Sequence, residues 1–372
     1  MDKAQRFARE ILETADILVN GERPWDLHVH NEGFYGRVLA GGSLALGESY
    51  MDGWWDCDEL DGLIARILSN DLQERVRPSL NGLLLWLRST VLNTQRKSRA
   101  FKIGERHCDL GNDLYRLMLD KGMNYSCGYW KRAKNLDEAQ EDKLELICRK
   151  IGLEKGMRVL DIGCGWGGFA HHAADRHGAR VVGITVSREQ VELAQEYCRN
   201  LPVEIRLQDY RDLDERFDRI VSVGMIEHVG CKNYRRYMQI AASCLVPEGL
   251  FLLHTIGTNR SGCVGDPWSD RYIFPDSMLP SLRQLTDAAE GLFKTEDVHS
   301  FGHHYDPTLL AWNRNFTSGW DRIKDRYGQR FFRMWRFYLL SSAGSFRARH
   351  NQLWQIVLSP RKSSRIYESI RE

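Results

Sequence analysis

Apolar and polar positions along the chain fall into two regimes. Up to about residue 100 the pattern is helical and amphipathic, broken at Pro24 and at the cluster Ala40, Gly41, Gly42, Ser43. In the segment 79–93 (SLNGLLLWLRSTVLN) the apolar residues at 80, 83, 84, 87 and 91 share one helical face. Arg96, Lys97, Arg99, Lys102 and Arg106 follow it. Taken alone, this stretch reads as a core helix with a solvated basic loop behind it. The sharper reading is an interfacial element facing anionic lipid.

From about residue 150 short apolar runs alternate with helical stretches. The runs 158–163, 179–187, 203–208, 218–223 and 250–256 predict strands, and 187–199 and 233–244 predict helices between them. Alternation at this spacing predicts a mostly parallel, doubly wound α/β sheet with helices on both faces. Beyond 260 comes a connection rich in Gly, Asp and Pro, then a helical run rich in aromatics and arginine (RFFRMWRFY, 330–338) and a basic tail.

Composition narrows the class. The 372 residues, at roughly 150 per domain, suggest about two domains. With 42% hydrophobic and 27% charged residues the chain is globular. Lys plus Arg number 52 against 50 Asp plus Glu, so a dedicated nucleic-acid binder, with its basic excess, is disfavoured. The nine cysteines form no CxxC pair, which argues for reduced cytosolic thiols rather than a disulfide scaffold or zinc ribbon. The N-terminal stretch lacks an apolar signal-peptide core, and no apolar run is long enough to span a bilayer.

The strongest chemical signal is DIGCGWGG (161–168), placed after one strand and before a helix. Gly163, Gly165 and Gly168 satisfy the dinucleotide spacing, but that motif also wants a carboxylate about 20 residues on, and the next strand ends in Gly183, Ile184 and Thr185. Asp161, with the alternating Gly163, Gly165 and Gly167, fits S-adenosylmethionine-dependent methyltransferases instead: a cofactor without pyrophosphate needs only room for an amino acid and a ribose. Thr185 and Gln190 flank the next strand–helix turn, and Asp209 and Tyr210 close the third strand, where a polar group and a ring suit adenine.

Seven ordered segments then carry a specific resemblance: ESYMDGWW (48–55), HCDLGNDLY (107–115), YSCGYW (125–130), VLDIGCGWGG (159–168), VGMIEHVG (223–230), LLHTIG (252–257) and YIFPDSMLPS (272–281). The chain resembles cyclopropane-fatty-acyl-phospholipid synthases, and more loosely mycolic acid cyclopropane synthases, from about residue 5 to about 360. The resemblance implies methylene transfer from S-adenosylmethionine to the cis double bond of a phospholipid acyl chain, with bound bicarbonate as the base. It maps the bicarbonate site onto Cys127, Glu227, His254, Ile256 and Tyr305, and adds Tyr125 and Ser126 to the cofactor site. Each of these has an ordinary structural alternative, such as a buried thiol at Cys127 or a core histidine at His254, and only the joint match lifts them. A metal is not expected; His303 and His304 lack a third ligand at zinc spacing. Where some relatives have a cysteine, this chain has Ser342, which excludes a covalent thiolate there.

The expected organisation is a small N-terminal helical domain at 1–95, contacting lipid or a second subunit, and a doubly wound, Rossmann-like catalytic domain at 96–372. The resemblance further implies a cytoplasmic homodimer that docks transiently on the inner membrane surface. The runner-up reading is an unsaturated-lipid C-methyltransferase that does not close a ring.

Overall fold

The computed structural model describes residues 3–75 and 111–372. The predicted helix 79–93, the basic stretch after it and the domain boundary near 95 lie outside the described residues.

The described chain forms two compact units. One takes the residues up to Arg75 together with Val264–Pro275 and Tyr305–Asn351. Its helices include Lys3–Glu13, Gly33–Met51, Leu60–Ser69 and the long Lys324–Arg347. The break expected at 40–43 is a kink: Gly42 takes φ 59° and ψ −140° inside Gly33–Met51. The aromatic run foreseen at 330–338 lies within Lys324–Arg347, whose buried side includes Trp335, Phe337 and Tyr338.

The other unit holds the residues from Gly111 to Cys263, then Asp276–His304 and Gln352–Glu372. Its sheet has seven strands: β1 (Arg158–Ile162), β2 (Arg180–Thr185), β3 (Val203–Leu207), β4 (Phe217–Val223), β5 (Leu245–Thr258), β6 (Phe293–Ser300) and β7 (Asn351–Pro360). Their order is β3-β2-β1-β4-β5-β7-β6. The pairs β1–β2, β1–β4, β2–β3 and β4–β5 are parallel, and β6–β7 is antiparallel. The first five strands match the sequence expectation; β6 and β7 lie in the stretch the pattern left unassigned.

The sheet is buried on both faces, as a covered parallel sheet must be. Along β1, Leu160 and Ile162 join one core with Val182, Ile220, Phe251 and Leu253. Val159 joins the other, with Val181, Val221, Leu250, Leu252 and Val357. Helices α1 (Leu136–Lys150) and α2 (Gly168–His177) cover this second face through Ile147, Cys148, Phe169 and Ala173. Helix α4 (Tyr234–Cys244), which follows α3 (Arg188–Tyr197), covers the first through Tyr237 and Met238. Alternation along β1 and β5 puts Asp161 and His254 on the α1–α2 face, near the carboxyl ends of their strands, where open α/β sheets bind ligands.

Cys231 and Cys263 are joined as a disulfide, with Cα atoms 5.8 Å apart. This corrects the expectation of wholly reduced thiols: the fold pairs two cysteines 32 residues apart, which no local motif announces.

Candidate active site

The glycine turn is built by left-handed backbone. Gly163, Gly165 and Gly167 have φ of 83°, 55° and 86°, conformations a side chain would strain. The turn is anchored because the N–H groups of Gly163 and Cys164 both donate to the Ile184 carbonyl, at 2.9 and 3.0 Å. A Cβ on Gly163 would strike Met225 at 2.8 Å, whereas one on Gly165 would meet nothing within 4 Å. The middle of the turn thus borders open space, as a loop that admits a ligand should.

Asp161 stands two residues before that turn and is 2% exposed. Its Oδ2 has no hydrogen-bond partner, and burial pushes the carboxyl up to about 7 against the pull of Lys143. A buried carboxylate oxygen with no donor calls for a donor from a ligand. Thr185 Oγ1 donates to Gln190 Oε1 at 2.7 Å and accepts from the Ser187 N–H at 3.3 Å. Asp209 caps the turn at Tyr210 through the Arg211 N–H and holds the Arg211 guanidinium at 2.9 Å. Tyr210 is buried edge-on to Tyr237, with ring centroids 5.2 Å apart. Tyr125 lies edge-on to Tyr115.

Sequence reasoning missed the group at the centre. Lys143 on α1 is 1% exposed and donates to Ser126 Oγ at 3.0 Å and to Asn124 Oδ1 at 3.4 Å. Burial lowers its ammonium to about 8, against the attraction of Asp120, Cys127 and Asp161. A signal was present: Ala139, Lys143, Leu144 and Ile147 fall on one helical stripe, so a charged residue interrupts an otherwise core-facing row.

Glu227 follows β4 in a short 3-10 turn and is 5% exposed. Its Oε1 accepts from the Ile256 N–H at 2.8 Å, its Oε2 has no partner, and burial pushes the carboxyl up to about 7. His254 on β5 is 1% exposed. Its Nδ1 faces Gln355 Nε2 at 3.2 Å and its Nε2 has no partner. Burial, with the charges of Lys143 and Lys150, holds the imidazole well below its usual pKa, so it is neutral. Cys127 is fully buried, its thiol donating to the Gly128 carbonyl at 3.3 Å.

The structure therefore brings Glu227 and Ile256 into direct contact, while Cys127, Asp161 and His254 each interact electrostatically with Lys143. Tyr305 belongs to the other compact unit, where it opens helix Tyr305–Gly319 and stacks on Phe346 at 4.5 Å.

The orphaned Asp161 oxygen and the open centre of the glycine turn fit S-adenosylmethionine. Asp161, Gly163, Gly165, Gly167, Thr185, Gln190, Asp209 and Tyr210 line the ends of β1, β2 and β3 from which it would be held.

Comparison with known proteins agrees with this construction. The family model for mycolic acid cyclopropane synthetase matches residues 95–356. The chain is 51% identical over 358 residues to the cyclopropane-fatty-acyl-phospholipid synthase of Escherichia coli (strain K12), covering 96% of this chain and 94% of that protein. It is 38% identical over 264 residues to a probable fatty acid methyltransferase of Pseudomonas putida, covering 68% and 67%. Among solved structures, the cyclopropane synthase MmaA2 of Mycobacterium tuberculosis superposes with a TM-score of 0.65 at 29% identity, over 69% of this chain and 97% of that one. The mycolic acid cyclopropane synthase CmaA1, solved with S-adenosylhomocysteine and CTAB, gives 0.65 at 30% identity, over 69% and 97%. By sequence and by fold, then, this chain belongs to the mycolic acid cyclopropane synthetase family of S-adenosylmethionine-dependent methyltransferases.

Proposed function

We propose that the enzyme transfers the methyl of S-adenosylmethionine to the cis double bond of an unsaturated phospholipid acyl chain, releasing S-adenosylhomocysteine, and that bicarbonate held at Cys127, Glu227, His254, Ile256 and Tyr305 removes a proton from that methyl as the cyclopropane ring closes. One observation carries the reading: Glu227 Oε2 and His254 Nε2 are both buried and both without a partner. One can accept and the other can donate, which is the pairing a bicarbonate hydroxyl and oxygen require.

When bound, S-adenosylmethionine supplies a methyl group on a sulfonium, electrophilic enough for a weak alkene nucleophile. Asp161 and the glycine turn would orient that cofactor, so that placement lowers the barrier. Glu227, steadied by the Ile256 N–H, would accept from the bicarbonate hydroxyl. His254 would donate from Nε2 to a negative oxygen, with Cys127 and Ile256 offering backbone groups and Tyr305 its hydroxyl. Burial keeps the site dry, which protects a cationic lipid intermediate from capture by water.

The same reading takes in a homodimer, transient docking on an anionic inner membrane surface, and lipid contact by the region 1–95. No helix among the described residues is long and apolar enough to cross a membrane. Reversing the charge of Arg96, Lys97 and Arg99 should weaken binding to anionic vesicles; unchanged binding would reject that docking surface.

The deciding experiment incubates the protein with methyl-labelled S-adenosylmethionine and vesicles of a cis-monounsaturated phospholipid, with and without bicarbonate. Cyclopropyl hydrogens in the proton NMR spectrum, weakened when bicarbonate is removed, are the expected result. Ring formation indifferent to bicarbonate would reject the anion site. Labelled lipid without ring signals would favour an unsaturated-lipid C-methyltransferase.

A further inference from the structure

Away from the cofactor turn, Cys148, His172 and His177 bring one sulfur and two imidazole nitrogens within 4.8 Å of one another. They come from neighbouring helices: Cys148 from α1, and both histidines from α2, which ends at His177. Glu145, one turn before Cys148, borders the two histidines. Its Oε2 lies 3.3 Å from His172 Nε2 and 2.9 Å from His177 Nε2.

One thiolate, two imidazoles and one carboxylate make a donor set that suits a four-coordinate zinc ion. We propose that Cys148, His172, His177 and Glu145 form a zinc site that pins α2 to α1. The burial gradient fits such a site. Cys148 is fully buried, the His172 and His177 side chains are 10% and 21% exposed, and that of Glu145 is 44% exposed. An ion can thus enter from solvent past the carboxylate and meet the sulfur at the bottom. His177 also lies at the carbonyl end of α2, where the helix dipole favours a cation.

Zinc–nitrogen bonds of about 2.0–2.1 Å and a zinc–sulfur bond of about 2.3 Å require the sulfur and the two nitrogens to draw together by roughly 1 Å, while the carboxylate already lies close enough to the histidines. Binding would release the thiol proton to solvent, and each imidazole would coordinate through an unprotonated nitrogen, its remaining proton on the other one. None of these residues belongs to the site described above, so the ion would be structural. Its lever is positional: α2 begins at Gly168, directly after the Gly163–Gly167 turn, so fixing its far end steadies the segment that shapes that turn.

The test titrates the chelator-stripped full chain with Co²⁺ as an optical probe, then displaces it with Zn²⁺, and follows thermal unfolding in parallel. The expected result is a single saturable site with tetrahedral cobalt bands, a sulfur-to-cobalt charge-transfer band, displacement by zinc and a raised Tm. Cys148→Ser should abolish the charge-transfer band. His177→Gln, at the exposed edge of the group, should fold normally and weaken binding by at least about tenfold. No binding at millimolar cobalt, octahedral bands without charge transfer, or spectra unchanged in both variants would overturn the proposal.

Discussion

Gln355 Nε2 donates to His254 Nδ1 at 3.2 Å, and that bond decides which imidazole nitrogen carries the proton. A neutral ring that accepts at Nδ1 is protonated at Nε2. Nε2 is the buried atom without a partner, so its proton is available to the anion proposed above. Gln355→Glu should move the proton to Nδ1 and turn Nε2 into an acceptor. The expected outcome is a kcat lowered by about 10²-fold, the range for losing one buried donor to an anion, with the KM for S-adenosylmethionine little changed. A kcat at the parent level in a folded variant would refute the tautomer role.

Glu227 offers a pH test. Burial pushes its carboxyl from the usual range up to about 7. The folded state therefore holds this proton more tightly than the unfolded chain, and the stability it contributes below the unfolded pKa is lost as pH rises towards about 7. Glu227→Gln cannot ionise. Its stability relative to the parent should rise by about 1.4 kcal/mol per pH unit between roughly pH 4.5 and 7, then level off. Urea unfolding of both proteins at several pH values checks this; a difference independent of pH would reject it.

The glycine turn separates packing from ligand space. Gly163→Ala forces a Cβ against Met225 at a left-handed position and should cost about 2–4 kcal/mol of stability. Gly165→Ala adds the same carbon into open space, so its stability cost should be only about 1–2 kcal/mol, from backbone strain. It should nonetheless lose most of its affinity for S-adenosylmethionine. Thermal unfolding and calorimetric titration of the two variants would distinguish them.

Lys143→Met should weaken the cofactor site from beneath. It leaves Ser126 Oγ and Asn124 Oδ1 without their shared donor and removes the positive charge that restrains the Asp161 carboxyl from rising further. Cofactor affinity should fall, and the pH at which Asp161 ionises should move upward. Binding measured between pH 6 and 9 tests both; a parallel loss at every pH would leave only the structural effect.

The Cys231–Cys263 bond closes a loop that begins just after the Glu227 turn and contains His254 and Ile256. The Cys231 N–H donates to Met278 Sδ at 3.1 Å, and the Met278 N–H to the Glu227 carbonyl at 2.9 Å. Cys263→Ser should lower stability by about 3–4 kcal/mol for a separation of 32 residues. Denaturant unfolding with and without reductant would measure it, and the reductant should have no effect on the variant.

Much of this architecture was legible because its signals are local. The strand at 158–162 and the turn at 163–167 declare themselves by an apolar run and by glycines that only left-handed backbone explains. The strand at 293–300 (FKTEDVHS) carries no apolar alternation, since it lies at the sheet edge. The strand at 351–360 is almost wholly buried yet contains Gln352 and Gln355, so it reads as neither an amphipathic strand nor an apolar one. The pairing of Glu227 with the Ile256 N–H joins two separate strand ends, and no spacing rule reports such a contact. Lys143 was easy to pass over for the opposite reason: its helix is rich in charge, and only its place on the stripe with Ala139 and Ile147 sets it apart.

The position of β7 has a consequence for biosynthesis. It is the last strand of the sheet in chain order, yet it lies in the interior, between β5 and β6. A nascent chain that has already made the glycine turn, Glu227 and His254 must still wait for residues 351–360 before the sheet can close, and long-range closure of this kind is slow. Until then β6 lacks its antiparallel partner and His254 lacks Gln355. A chain made only as far as β6 thus holds Glu227 and His254 without the glutamine that fixes the imidazole.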